Sequence, residues 1–410
     1  MKTLLILLAT LVLFMPVAVA GPTQVTLEVA FYPYVPDPSG LSNTIKAAFE
    51  RQNPGIVLRL INSHPDPANP KNPPIPLADD YYDDGLANTH ADLYEVDTIL
   101  LQDLTATKLM PVVLPNHNFH PLAVLAVTSD GKTYGVPHWM CGNFLFYRAQ
   151  DTAVSQAQTL GELRKPLNPA DGSGLGVDLK GGSTLGEWYL TALAWDLPVS
   201  KLPAAVIKPL DPQEADHVKR LLELCPTGLC RSIPLHKDAG AYARKFVHED
   251  IRAYMGYSET LYYALKEIRE KCPSDCISAD QIAVRAIPGP ADRPGVAWVD
   301  AFAMDRSLPR AKLAAAQRFL EFVTSSEAYK AVLSADKNHP SRYLLPAVRL
   351  PRAIMKKLDA PLYKPLFAAF TNRMTFSAPG ANQDLRSRGK ELDCKLAKDN
   401  HELPLPAGCK

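Results

Sequence analysis

Apolar and polar positions alternate through TLEVAFYPYVPD, a stretch rich in β-branched and aromatic residues, which predicts a first strand from Thr26 to Tyr34. Pro33 and Pro36 then force a loop, in which Tyr32 and Tyr34 face the same side while the chain stays extended. From Leu41 to Arg51 the apolar spacing becomes that of an amphipathic helix, closed by Asn53, Pro54 and Gly55, and GIVLRLIN follows as a second strand. Strand, helix, strand is the opening of an α/β lobe with a parallel sheet.

The pattern continues with punctuation. Residues 65–76 carry six prolines and predict an extended surface loop, followed by the acidic and aromatic patch ADDYYDDG. Asp97 closes an apolar strand, where α/β sheets present ligand-binding groups; capping the next helix is the equal alternative. SDGKTYGVP predicts a hairpin, and Phe144 to Tyr147 a buried strand, leaving Cys141 at the irregular point between two strand-like pieces. A side chain there either faces a cleft or is an inert buried thiol.

Further helices are predicted for the segment after the glycine pair in Lys180–Asp196, for Pro212–Cys225 and for Gly240–His248. Ser258 is placed to cap a helix starting at Glu259, with Leu261, Ala264, Leu265 and Ile268 as its apolar face. Glu259 in a first turn has a purely stabilising reading as well. RPGVAWVDAFAMDR reads as a strand whose Asp300 must be paired or stand at a cleft edge. A long helical stretch with a Ser-Ser break follows from Pro309, then helix over residues 352–375, then a loop-rich end; no internal repeat is found.

Length changes the picture first: 410 residues exceed what one core accommodates, so two lobes are expected. Lys+Arg 44 against Asp+Glu 43 leaves no electrostatic footprint for nucleic acid or an anionic membrane. The first twenty residues, one lysine followed by an apolar run ending in Ala18 and Ala20, read as a cleaved export signal. No cysteine follows that cut to carry a lipid anchor, and no later run is long enough to span a bilayer, so a secreted or periplasmic protein without a membrane anchor is expected.

Export makes disulfides permissible. Six of the seven cysteines lie close in sequence as Cys225 with Cys230, Cys272 with Cys276, and Cys394 with Cys409; crossed bonds among the first four are the rival pairing. Zinc binding by CPTGLC and CPSDC is the weaker reading, lacking a CxxC knuckle. Cys141 is left over, and an odd cysteine in an exported chain is an intermolecular link or a reactive thiol.

GKTYGVP with LFYR, the helix AAAQRFLEFVTSSEAYK and the exported two-lobed α/β character together resemble extracellular solute-binding proteins. VAFYPYVPD, RQNPGI, YGVPHWMCGNFLFYR, AYMGYSE, WVDAF and SRYLLPA more closely resemble thiaminase type I, the thiamine pyridinylases, over most of the chain to about residue 350. Gly142, the proline loop and the clustered cysteines depart from that pattern.

The resemblance implies a two-lobed periplasmic-binding-protein-like α/β fold. Each lobe is a mainly parallel sheet flanked by helices, with the active site in the interlobe cleft. One lobe is expected from residues 21–140 plus 300–345, the other from 141–299 plus 346–410 with the C-terminal helices. It implies Cys141 as nucleophile, Glu259 as its base, and a pocket including Tyr32, Tyr34, Asp97, Tyr242, Tyr257 and Asp300. The partners implied are thiamin and a small nucleophilic co-substrate (an amine, a thiol or a pyridine-type base), with no cofactor, no metal and a monomeric chain.

The residue types suit that chemistry. A thiolate can add to carbon and later depart, carboxylates attract a cation, and tyrosines give flat walls. Desolvation in a closed cleft is expected to raise the proton affinity of Glu259 against the lowering effect of a helix terminus. The alternatives are a non-catalytic binding protein for thiamin or a related heterocycle, and a cysteine hydrolase, for which His138 is the nearest imidazole.

Overall fold

The computed structural model describes residues 24–61, 82, 86, 89–171, 174–232, 238–272, 276–290, 293–337, 339–358, 360–399, 406, 408 and 409. The expected export signal and the proline-rich stretch 65–76 lie outside these residues.

The chain opens as its pattern predicts, with β1 (Val25–Ala30), α1 (Pro38–Gln52) and β2 (Ile56–Ile61). β1 and β2 are parallel, in register from Val25 opposite Ile56 to Ala30 opposite Ile61. β1 ends four residues before Tyr34 because Pro33 and Pro36 cannot donate to a ladder. α1 starts earlier than Leu41: the Asp37 carboxylate accepts the Gly40 N–H, and Pro38 takes the first helical position. Its buried stripe of Leu41, Ile45, Ala48 and Phe49 faces the core, where the Phe49 ring lies 5.4 Å from those of Phe319 and Phe322.

β3 (Leu93–Asp97) pairs with β1, again parallel. The expected hairpin joins Thr128–Ser129 to Lys132–Thr133 through Asp130 and Gly131, whose φ values of 48° and 70° define the twist-compatible two-residue turn. β4 (Val136–Cys141) and β5 (Asn143–Arg148) follow, separated by Gly142 alone. β4 belongs to the first sheet and β5 to the second. A Cβ on Gly142 would sit 3.1 Å from the Val296 carbonyl, so the crossing point has little room for a larger residue.

Onward lie β6 (Leu175–Gly176), α2 (Gly182–Asp196), α3 (Pro212–Leu222), α4 (Ala241–Val247), β7 (Ala253–Tyr257), α5 (Thr260–Lys271), β8 (Ile282–Ala286) and β9 (Gly295–Asp305). The expected long helix is α6 (Leu313–Val323) and α7 (Ser326–Leu333), broken where Ser325 caps the second through the Ala328 N–H.

The first sheet runs Leu345–Pro346, β4, β9, β3, β1, β2, and the second runs β8, β5, β7, β6. Parallel pairing holds for β1 with its two neighbours, for β6 with β7 and for β9 with Arg373–Thr375; the other pairings of these sheets are antiparallel. The chain leaves the first sheet at the end of β4 and re-enters it at the start of β9, with Cys141 opposite Trp298, so these two strands must run in opposite directions.

Four expectations are corrected. The two sheets are mixed rather than mainly parallel, because β9 runs against both β3 and β4 in the first and β5 runs against both β7 and β8 in the second. Ser258 does not cap α5; Glu259 takes the N-cap position without a side-chain cap, and the Ser258 hydroxyl donates to the Glu259 carboxylate at 3.3 Å. Residues 352–375 end in the strand Arg373–Thr375 rather than in helix. The end of the chain is not loop-rich: α8 (Ala381–Asp399) is a 19-residue helix.

The apolar stripe of α8 is thin, Leu385, Leu392 and Leu396, and a glycine completes it. A Cβ on Gly389 would fall 1.9 Å from the Gly182 carbonyl of α2, and one on Gly186 would fall 2.5 Å from the Leu385 carbonyl. Glycines let the two backbones approach, so contact comes from proximity more than from bulky apolar residues.

The three local disulfides form, Cys225–Cys230, Cys272–Cys276 and Cys394–Cys409, which removes the crossed pairing and the zinc reading of those pairs. Cys141 is the free thiol.

Candidate active site

A cavity of about 290 Å³ opens between the two sheets, walled by β3, β4 and β9 on one side and by β7, α2 and the start of α5 on the other. It takes Cys141, Glu259, Tyr32, Tyr34, Asp97, Tyr257 and Asp300 from the expected set. Tyr242 is the exception.

Strand alternation builds the first wall. Asp97 is directly opposite Asp300, Asp300 opposite Trp139, and Trp298 opposite Cys141, so these five residues share the face that meets the cavity. Tyr32 and Tyr34 leave the end of β1 and Asp97 the end of β3, the carboxyl edge where such sheets bind ligands. The tyrosine rings meet edge to face at 5.6 Å, as their spacing predicts. Tyr82, from the acidic and aromatic patch, stacks on Tyr34 and donates to Asp97 at 2.8 Å, while its hydroxyl lies 2.5 Å from that of Tyr32. Asp97 also accepts the Ile99 N–H at 3.0 Å, so it serves both readings given to it, turn anchor and cavity carboxylate.

The second wall begins at the end of β7. Tyr257 donates from its hydroxyl to Glu187 of α2, and Glu259 stands two residues further on. Because Tyr257 pairs with Asn143, the first residue of β5, the crossing at Gly142 carries Cys141 to this same end.

Five carboxylates therefore line one cavity, Asp97, Glu187, Glu259, Asp300 and Asp238, the last of them paired with Arg244. Burial lifts Asp97 to about 6, Glu259 to about 7 and Glu187 to about 8, and pushes Asp300 well above the carboxylate range, reinforced by Asp97 opposite it. For Glu259 burial outweighs its own backbone N–H and the Ser258 hydroxyl, the direction expected from the sequence. Cys141 keeps some surface open to the cavity, yet burial and then the charges of Asp300, Glu259, Asp97 and Glu187 push its thiol well above its ordinary value. The free site thus holds a protonated thiol and an excess of acidic groups, an environment that favours a cation.

One expected residue lies elsewhere, as does the histidine that the hydrolase alternative would need. Tyr242 on α4 packs its ring over Gly176 and donates to the Leu229 carbonyl at 3.2 Å, so it lines a small separate chamber behind Glu187 and Tyr257. One turn of α4 faces the β6 edge rather than the cavity. His138 is fully buried against Phe302 and Tyr329 with Nδ1 on Glu95, on the opposite face of β4 from Cys141. It offers the thiol no base, which removes the basis for a cysteine hydrolase.

Glu187, Tyr82, Trp139 and Trp298 are wall residues not singled out from sequence. The tryptophans were legible, each standing two residues from an expected site residue on the same strand. Glu187 is the one acidic residue within GSTLGEWYLTALAW, a polar group on an apolar helix.

Glu187 also yields a stability prediction. A carboxyl raised from 4.5 to about 8 on folding leaves stability fully present below about pH 4.5 and lost as pH rises through about 8. Glu187→Gln is therefore expected to unfold at higher temperature than the wild type at pH 8.5, with the gap closing by pH 5. Melting curves that stay parallel across that range would contradict the burial argument.

Comparison with known proteins agrees with this architecture. Residues 27–348 match the bacterial extracellular solute-binding protein family, and the chain belongs to that family. Within the fold, the chain is 28% identical over 283 residues to Thiaminase-1 of Paenibacillus thiaminolyticus, a match spanning 63% of this chain and 64% of that protein.

Among solved structures, thiaminase I from Bacillus thiaminolyticus superposes with a TM-score of 0.71 at 23% identity, covering 91% of this chain and 99% of the other. Clostridium botulinum thiaminase I in complex with thiamin gives a TM-score of 0.71 at 21% identity, covering 90% and 99%. The maltose-bound MalE3 of T. maritima gives 0.63 at 17%, covering 92% and 95%. The fold is thus the two-lobed one of solute-binding proteins and of thiaminase I. Among the described residues no helix is long and apolar enough to cross a membrane.

Proposed function

We propose that this protein is a thiamine pyridinylase, exchanging the thiazole of thiamin for a small nucleophilic base through a covalent bond between Cys141 and the pyrimidine. The observation that carries this reading is the meeting of the one free thiol with Glu259, brought from a separate part of the chain to the same acidic, tyrosine-lined cavity. Likeness to Thiaminase-1 supports it. A plain solute carrier has no use for such a pair.

The steps follow from the groups present. Thiamin carries a fixed positive charge, which the ring of carboxylates attracts, and its flat rings suit the walls of Tyr32, Tyr34 and Tyr257. Because the Cys141 thiol is held protonated, attack and proton loss proceed together. Glu259 takes the Sγ proton as sulfur adds to the pyrimidine ring, and the thiazole departs from the methylene with its bonding electrons. The incoming amine, thiol or pyridine-type base adds to the methylene carbon; the sulfur is then expelled and Glu259 returns its proton. Asp97 and Asp300 face the bound cation and accept from its exocyclic amine.

Residues 21–140 with 300–345, and 141–299 with 346–410, are proposed as the two lobes that close on the substrate. The chain is proposed to act outside the cytoplasm as a monomer, consistent with its extracellular binding-protein family.

The direct test is purified protein with thiamin and a pyridine-type acceptor, where thiazole release and the exchanged base are expected. Stoichiometric binding without turnover would instead identify a carrier. The same assay carries a pH prediction. With Glu259 at about 7, log kcat/KM for thiamin is expected to rise by about one unit per pH unit below 7 and to level above it, because the base must be deprotonated. A rise continuing past pH 9 would mean that thiol ionisation, not the carboxylate, limits the reaction.

A further inference from the structure

A second cluster of potential ligands lies away from the cavity, at the far end of α2. Asp196 is the last residue of that helix, and Glu214 and His217 are spaced i and i+3 on α3, so they share one helix face toward it. One ligand atom from each of the three falls within 4.8 Å of the others, and His217 Nε2 is 3.4 Å from Asp196 Oδ2. Glu214 is 4% exposed, and its Oε2 is a buried oxygen with no hydrogen-bond partner among the described residues. No lysine or arginine of the described residues pairs with Asp196 or Glu214; Asp196 meets His217 and the Gln213 amide, the latter at 2.9 Å, and Glu214 meets only the Asp196 carboxyl, a second acid.

These features have one chemical sense. Leaving a carboxylate oxygen buried without a donor is costly. Here it lies beside a second carboxylate and at a helix C-terminus, whose exposed carbonyls add negative potential. A cation resolves all three. We propose that Asp196, Glu214 and His217 form a binding site for one divalent metal ion, with zinc the best match, which ties the end of α2 to α3.

Imidazole with two carboxylates is a donor set zinc accepts, at bond lengths of about 2.0–2.2 Å. Tetrahedral bonds of that length place neighbouring ligand atoms about 3.3 Å apart, close to the His217–Asp196 separation. The Asp196 and His217 side chains are 29% and 21% exposed, which leaves a route for the ion and a place for water as fourth ligand. The other cluster among the described residues, His248 with Cys272 and Cys276, has both sulfurs in a disulfide and so cannot offer thiolates.

The test uses the whole chain, stripped with chelator and dialysed, then titrated with zinc chloride by calorimetry and assayed for bound metal. One equivalent per chain is expected, retained in Cys141→Ser, which excludes the cavity thiol as its ligand. His217→Ala and Glu214→Gln should each weaken that binding by roughly tenfold or more. Zinc at about 100 times its Kd should raise the melting temperature of the wild type by roughly 3 °C and leave His217→Ala unmoved. Because His217 is partly exposed, His217→Ala decides the matter if Glu214→Gln fails to fold. No bound zinc in the wild type, or an equivalent undiminished in His217→Ala, would overturn the site and leave a carboxyl pair sharing a proton.

Discussion

Cys141→Ser is expected to abolish thiazole exchange, with kcat falling by at least roughly 10³-fold while the melting temperature stays near that of the wild type. The loss is chemical. A hydroxyl is a far poorer nucleophile toward the pyrimidine at neutral pH and a poorer group to expel when the acceptor has added. The fold should survive, because Cys141 takes no part in a disulfide and sits at the end of β4 with its side chain at a cavity rather than in the core. Thiamin binding should persist as well, since the carboxylates and tyrosines that attract it are untouched. A variant that turns over at the wild-type rate would remove covalent catalysis from the scheme.

The second large effect is expected at Glu259. Glu259→Gln keeps the shape and the Ser258 contact but has no proton affinity to offer, so kcat should fall by about 10²–10⁴-fold, the range for a general acid–base group. KM should change little, because Asp97, Glu187, Asp238 and Asp300 still line the cavity around the cation. The variant should also lose the rise in kcat/KM below pH 7, a readout that mere disturbance of packing would not move. A lowered rate with an unaltered pH profile would transfer the role of base to another group, and Glu187, at about 8, would be the first to examine.

Much of this was legible because it rests on short-range rules. The β1–α1–β2 opening, the Asp130-Gly131 hairpin turn and the three local disulfides follow from periodicity, turn chemistry and chain proximity. Cys141 emerged by subtraction, and the cavity faces of Asp97 and Asp300 from their places in apolar strands. What stayed hidden was set by long-range packing. α8 has few apolar residues because Gly389 meets the glycines of α2 backbone to backbone, and that contact cannot be read from either segment alone. Tyr242 was misplaced because its facing depends on how α4 sits against the β6 edge, not on its distance along the chain from Glu259. Glu187 and Tyr82 reach the wall from remote segments, one from α2 and one from beyond the proline-rich stretch.

The most direct check of the account is the mass of the intact protein after incubation with thiamin under acceptor-poor conditions. A gain equal to the pyrimidine-methylene fragment, mapped by peptide digestion to Cys141 and cleared when an amine or pyridine-type base is supplied, is the predicted result. Continued thiazole release from a chain whose mass never changes, or an adduct mapped to any other residue, would contradict it.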